Sequence, residues 1–127
     1  MKDGFIRTAA VTPKVRVADP EYNGQQIIEL MDQGSARGVK IMAFPELCVT
    51  AYTCGDLFFQ SALLDKAKEV LKEIKEATRG KELLVFVGLP WKQEGKLYNV
   101  AAALKDGHLL GLVPKRHLPN FGEFYEA

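Results

Sequence analysis

The stretch Val39 to Phe44, mostly apolar and stopped by Pro45, constrains the fold more than any other part of the sequence. A run of that length ending at proline reads as a buried strand, because proline cannot continue the hydrogen-bonding ladder. The next residue is a carboxylate, Glu46, which is thereby delivered just beyond the strand's carboxyl end. Open α/β sheets build their sites at that edge. Tyr52 follows with no basic residue between it and Glu46, an arrangement suited to proton transfer rather than to a surface ion pair.

The segments around this strand predict an α/β chain. Phe5 to Val11 suits a first strand ending at Thr12-Pro13 and lying inside the sheet. Asp19-Pro20-Glu21 has the form of a helix start, with Asp19 as cap, Pro20 in the first turn and Glu21 placed favourably against the helix dipole. That helix should run to about Arg37, bury Ile27, Leu30 and Met31, and end at Gly38 in a left-handed conformation. Cys54 to Phe59 is too apolar for a free surface loop and reads as a site wall over the carboxyl edge. Ser61 can cap a second helix, with Leu63, Ala67, Val70, Leu71 and Ile74 at helical spacing and Gly80 as terminator. Leu83 to Val87 reads as a second buried strand, bounded by Gly88 and Pro90.

The last third changes character. Turn signals at Gln93-Glu94-Gly95-Lys96 and Lys105-Asp106-Gly107-His108 flank Leu97 to Leu104, and His108 to Val113 follows, which predicts an antiparallel meander and hence a mixed sheet. Lys115 then stands after one apolar strand as Glu46 stands after another. A lysine beside a strand end with a carboxylate nearby can hold positive charge where a tetrahedral intermediate develops its oxyanion.

Composition narrows the function classes. The 127 residues, 47% of them hydrophobic, suffice for one domain with a real core. Seventeen basic residues against sixteen acidic ones give a formal charge of +1 without a long block of either sign, so neither a nucleic acid nor a membrane is an expected partner. No signal peptide or membrane span is evident, and the cytoplasm is the expected compartment, with Cys48 and Cys54 as thiols. His108 and His117 lack a third ligand at metal-like spacing, so no metal site is predicted. The glycines form no phosphate-binding loop.

Phe44-Pro45-Glu46-Leu47 followed by Tyr52, together with Lys115-x-x-Leu118-Pro119-Asn120-Phe121-Gly122-x-Phe124-x-Glu126, resembles the nitrilase (carbon–nitrogen hydrolase) superfamily. Within it, the stretch from Phe44 to Tyr52 and Leu118-Pro119-Asn120 resemble the N-terminal glutaminase domains of glutamine-dependent NAD synthetases. The resemblance runs from the first strand to Glu126. It implies an α-β-β-α sandwich of which residues 1–127 form the N-terminal part, an incomplete domain with a mixed sheet and flanking helices. It also implies that Glu46 is the general base and that Lys115 stabilises the tetrahedral intermediate of an amide substrate, glutamine in the parent enzyme. Glu126 matches a second glutamate that helps to position the site, with Glu123 as the fallback, and Tyr52 and Phe121 fall where the substrate pocket is lined. At Phe121 the family commonly has tyrosine, so the hydrogen bond of that hydroxyl is missing. Self-association is expected, both from the family's habit and from the sheet edge a partial sandwich exposes.

The nucleophile is the main departure. The family's cysteine follows a later strand, in a Cys-x-Asp context, and nothing here matches it. Cys48, two residues from Glu46, and Cys54 are the available substitutes, though buried thiols are usually inert. The synthetase's Ser-Gly-Gly-x-Asp-Ser motif is also not present, so no cofactor is expected on this chain, ATP and magnesium belonging to a separate synthetase domain. Isolated residues 1–127 are expected to be inactive. A free-standing amidase or nitrilase, and a non-catalytic interaction module with the same fold, are the alternative readings.

Overall fold

A computed structural model describes residues 5–50 and 61–115. Five strands form one sheet in the order β1-β2-β3-β4-β5: β1 (Thr8–Ala10), β2 (Ile41–Ala43), β3 (Leu84–Gln93), β4 (Lys96–Lys105) and β5 (His108–Pro114). β1, β2 and β3 run parallel, whereas β3, β4 and β5 form an antiparallel meander, so the sheet is mixed as predicted. The two hairpin turns place Glu94-Gly95 and Asp106-Gly107 at positive φ, the backbone that matches the twist of the flanking strands.

Two helices, α1 (Pro20–Ala36) and α2 (Ser61–Ala77), connect the parallel strands. The Asp19 side chain accepts from the Tyr22 N–H at 3.2 Å, the cap expected of it. At the other end Gly38 has φ +78° and the Val39 N–H reaches back to the Gly34 carbonyl at 3.0 Å, closing the helix with a left-handed residue. Ile27 and Met31 of α1 and Val70, Leu71 and Ile74 of α2 pack into one core with Met42, Val85, Val87, Leu89, Ala102 and Leu104 from one face of the sheet. The helices approach closely at Gly24, where an added Cβ would lie 2.4 Å from Val70 Cγ1.

The other face of the sheet is less covered. Ile41, Leu84, Phe86, Ala101 and Ala103 are only half-buried there, and Val113 is 60% exposed.

Three expectations are corrected. Among the described residues β1 stands at the edge of the sheet, short and largely exposed, rather than inside it. β2 spans only the middle of the apolar run, since Val39 closes α1 and Phe44 begins the following turn. β3 does not stop before Gly88 and Pro90 but continues through both to Gln93. The reason is directional. The carbonyls of Phe86 and Gly88 face the Phe44 and Val49 amides, so the Pro90 nitrogen, two residues on, faces the same side, where β2 has already ended. Its missing N–H therefore costs no ladder bond, and Pro90 pairs with Asn99 of β4 without loss.

Candidate active site

The chain past β2 is folded back tightly. The Phe44 N–H makes the last rung, to the Phe86 carbonyl at 2.9 Å, and Pro45 then offers no donor. Residues 45–50 form successive turns, with Cys48 N–H on the Pro45 carbonyl (3.3 Å) and Thr50 N–H on the Leu47 carbonyl (3.2 Å). Leu47 sits at φ +54°, a left-handed conformation that costs a branched residue on the order of 1–2 kcal/mol. Its side chain is 1% exposed, and burial of a leucine returns about as much. The turn lies directly on Gly88 of β3, where an added Cβ would meet Leu47 N at 2.4 Å and the Pro45 carbonyl oxygen at 2.8 Å. Only glycine leaves room for that approach.

This turn presents Glu46 to two residues from the antiparallel half of the sheet. Lys115 Nζ, just past the end of β5, lies 2.6 Å from Glu46 Oε1, and Asn99 Nδ2, within β4, donates to the same oxygen at 2.7 Å. The Lys115 backbone N–H bonds the Asn99 carbonyl at 2.9 Å, so the strand ladder fixes where the lysine leaves the sheet. The side chains of Glu46 and Lys115 are 30% and 40% exposed, a setting in which an ion pair contributes roughly 0–1 kcal/mol to stability. The pairing is thus accessible to a ligand and contributes little to holding the fold. Phe44, Gly88, Ala101 and Val113 complete, with these polar groups, an open pocket of ≈ 320 Å³. A carboxylate able to take a proton, beside an ammonium able to face a developing oxyanion, is the equipment of acyl transfer from an amide.

The structure brings together Glu46 and Lys115, as the sequence suggested. Tyr52, Cys54, His117, Phe121, Glu123 and Glu126 lie outside the described residues, as does the apolar segment read as a site wall. Cys48 is buried at 3% exposure, its Sγ against the Gly88 carbonyl at 3.7 Å, and burial pushes its thiol up to about 11. A neutral, enclosed thiol is a poor nucleophile, which argues against Cys48 in that role. Asn99 escaped notice in the sequence. Its signal was an amide of low strand propensity inside the apolar run Leu97 to Leu104, where it is 4% exposed and needs a partner. Among the described residues there is no group of three or more His, Cys, Asp or Glu side chains that could hold a metal ion, and no helix is long and apolar enough to cross a membrane.

The carbon-nitrogen hydrolase family model matches residues 7–127. The chain belongs to that family. It is 34% identical over 125 residues to the glutamine-dependent NAD(+) synthetase of Mycobacterium tuberculosis, a match covering 97% of this chain and 18% of that protein. The crystal structure of a glutamine-dependent NAD(+) synthetase from Cytophaga hutchinsonii superposes with a TM-score of 0.85 at 30% identity, over 91% of this chain and 20% of the other. An amidase from Nesterenkonia sp. shares the fold, with a TM-score of 0.80 at 20% identity over all of this chain and 50% of the amidase. The chain therefore spans about a fifth of the length of these synthetases.

Proposed function

We propose that residues 1–127 are the N-terminal part of a glutaminase domain that supplies ammonia to a glutamine-dependent NAD synthetase. The observation that carries this reading is the meeting of Glu46 Oε1 with Lys115 Nζ at 2.6 Å in an open pocket, within a chain similar to such synthetases over nearly its whole length. In the proposed reaction a cysteine thiol passes its proton to Glu46 while its sulfur attacks the amide carbon of glutamine. The carbonyl oxygen gains negative charge beside Lys115. Collapse breaks the carbon–nitrogen bond, Glu46 returns the proton to the leaving nitrogen, and ammonia departs from a thioester. Water then adds to the thioester with its proton passing through Glu46 to the sulfur, releasing glutamate. The nucleophile belongs to a later part of the parent protein, because Cys48 is enclosed and protonated. Tyr52, Phe121 and Glu126 remain the proposed lining of the glutamine pocket. ATP and magnesium act in the separate synthetase domain, which consumes the ammonia, and the parent works as a cytoplasmic homo-oligomer.

The test uses the full-length parent enzyme. Glu46→Gln and Lys115→Met should each lower glutamine hydrolysis by about 10²-fold or more. NAD synthesis driven by free ammonium should remain, which separates the glutaminase step from the synthetase step. Glutamine hydrolysis at the parental rate in either variant would refute the assignment. Amide hydrolysis that depends on Glu46 in a parent incapable of NAD synthesis would point instead to a free-standing amidase.

A further inference from the structure

The proposed mechanism uses Glu46 and Lys115 but leaves Asn99 without a role, although Asn99 touches both. Its side-chain Nδ2 donates to Glu46 Oε1 at 2.7 Å, and its backbone carbonyl accepts from the Lys115 N–H at 2.9 Å. Lys115 Nζ closes the loop on the same Oε1 at 2.6 Å. Asn99 is 4% exposed in the middle of the longest strand pairing of the sheet, opposite Pro90 of β3 and beside the end of β5. A short side chain on a doubly paired strand has little freedom, whereas Glu46 projects from a turn and Lys115 from a strand end.

We infer that Asn99 is a positioning residue that fixes the carboxylate of Glu46 for proton transfer, an inference that rests on the glutaminase reading above. Two donors on Oε1 leave Oε2 without a partner among the described residues, so Oε2 is the oxygen that takes the thiol proton. The two donors are not equivalent during the reaction. Lys115 carries the positive charge that the developing oxyanion attracts, and its flexible stem lets the ammonium turn towards substrate. Asn99 is neutral and held by β4, so its hydrogen bond to Oε1 persists whether Oε2 is bare or protonated. Glu46 thus keeps one orientation through the acid and base halves of the cycle. Losing that orientation slows chemistry without removing a contact to glutamine, the pattern of a group that acts through another.

The experiment measures glutamine hydrolysis by the full-length parent carrying Asn99→Asp, Asn99→Ala, Glu46→Gln, and Asn99→Ala combined with Glu46→Gln. Asn99→Asp keeps the shape but replaces the donor by an acceptor, so it tests the hydrogen bond without opening a cavity. Both single Asn99 variants are expected to lower kcat by about 10- to 100-fold, with KM for glutamine changed less than about 3-fold. In the Glu46→Gln background, Asn99→Ala should cost nothing further, since its effect passes through that carboxylate. If Asn99→Ala also abolishes ammonium-driven NAD synthesis, the isosteric Asn99→Asp decides. A kcat for Asn99→Asp within 2-fold of the parent, or an Asn99→Ala loss that persists undiminished without Glu46, overturns the inference. Should Glu46→Gln itself leave hydrolysis intact, the glutaminase reading fails, a result distinct from failure of the Asn99 role alone.

Discussion

Among the described glycines, Gly88 is the one where an added carbon would press on backbone atoms alone. In Gly88→Ala the new Cβ would begin 2.4 Å from Leu47 N, 2.8 Å from the Pro45 oxygen and 3.0 Å from the Glu46 carbonyl carbon. All three are backbone atoms, so no side chain can swing aside. Bringing the nearest to ordinary contact requires a displacement of about 1 Å of the turn away from β3. Such overpacking costs about 1–3 kcal/mol, and stretching the Val49 N–H bond to the Gly88 carbonyl, now 3.1 Å, adds about 1 kcal/mol. The same displacement would carry Glu46 Oε1 from 2.6 and 2.7 Å to beyond hydrogen-bond reach of Lys115 and Asn99. Thermal unfolding of the parent should fall by on the order of 10 °C in the transition that includes this domain. Glutamine hydrolysis should fall by about 10²-fold even well below that transition, while ammonium-driven synthesis persists. A Gly88→Ala enzyme with the parental melting profile and parental glutamine hydrolysis would refute the claim that the Glu46 turn is seated on this glycine.

Other consequences are simpler. The thiol of Cys48, raised by desolvation to about 11 from 9.0, stays protonated in the folded state at a pH where the unfolded chain has lost its proton. It therefore stabilises the fold fully below about pH 9, and that contribution, about 3 kcal/mol at most, is lost as pH rises towards 11. Denaturant melts of wild type and Cys48→Ala across pH 8–11 should show the steeper alkaline loss in wild type, and parallel curves would sink the argument. Cys48→Ala should also leave glutamine hydrolysis by the parent within a few-fold of wild type, whereas abolition would make Cys48 the nucleophile. Thr78 Oγ1 accepts from the Gly107 N–H at 2.8 Å and donates to the Lys75 carbonyl at 2.6 Å, tying the end of α2 to the β4–β5 turn. Thr78→Val, of similar shape, should lower the unfolding free energy by about 1–3 kcal/mol, since it strands a buried amide. Residues 1–127 produced alone should self-associate through the less covered sheet face and release no ammonia from glutamine; a monodisperse monomer in sedimentation would count against the first expectation.

How far the site was legible depended on whether each partner's placement is local. Asp19, Pro20 and Gly38 bound α1 because caps are decided within a few residues, and the Glu-Gly and Asp-Gly turns fixed both hairpins for the same reason. That Glu46 and Lys115 would stand near one another was legible because each follows an apolar strand and lies in a motif that resembles the family's. The end of β3 was misjudged because a proline's tolerance depends on which neighbour its nitrogen would face, and that is decided by where β2 stops rather than by β3 itself. The first strand was expected inside the sheet from its apolar content, yet among the described residues it is a three-residue strand at the edge, a place set by its neighbours rather than by its own composition.

The connection between the two halves of the sheet explains why Glu46 and Lys115 meet at all. β2 and β3 are parallel, so their carboxyl ends point the same way, and the first turn of the meander reverses the chain there. β4 runs back from that edge, which places Asn99, near its start, level with Pro90. β5 returns in the direction of β3, so its final residues reach the level of Asn99 and release Lys115 at the edge where Glu46 stands. A register slip of one residue between β4 and β5 would turn the wrong backbone group towards Asn99 and send Lys115 to the other face of the sheet. The bulge between Ala103 and Leu104 lies on the far side of this pairing, near the Asp106-Gly107 turn. It changes the pairing offset close to that turn, and from Ala103 to Val100 the ladder then runs regularly to the residue that holds Lys115. Deleting one residue from 112–114, past the bulge, would move Lys115 out of register with Asn99 and should therefore abolish the Lys115 contribution to glutamine hydrolysis even though Lys115 itself is retained. A deletion variant with the parental rate would show that the lysine's place is set by something other than the β4–β5 register.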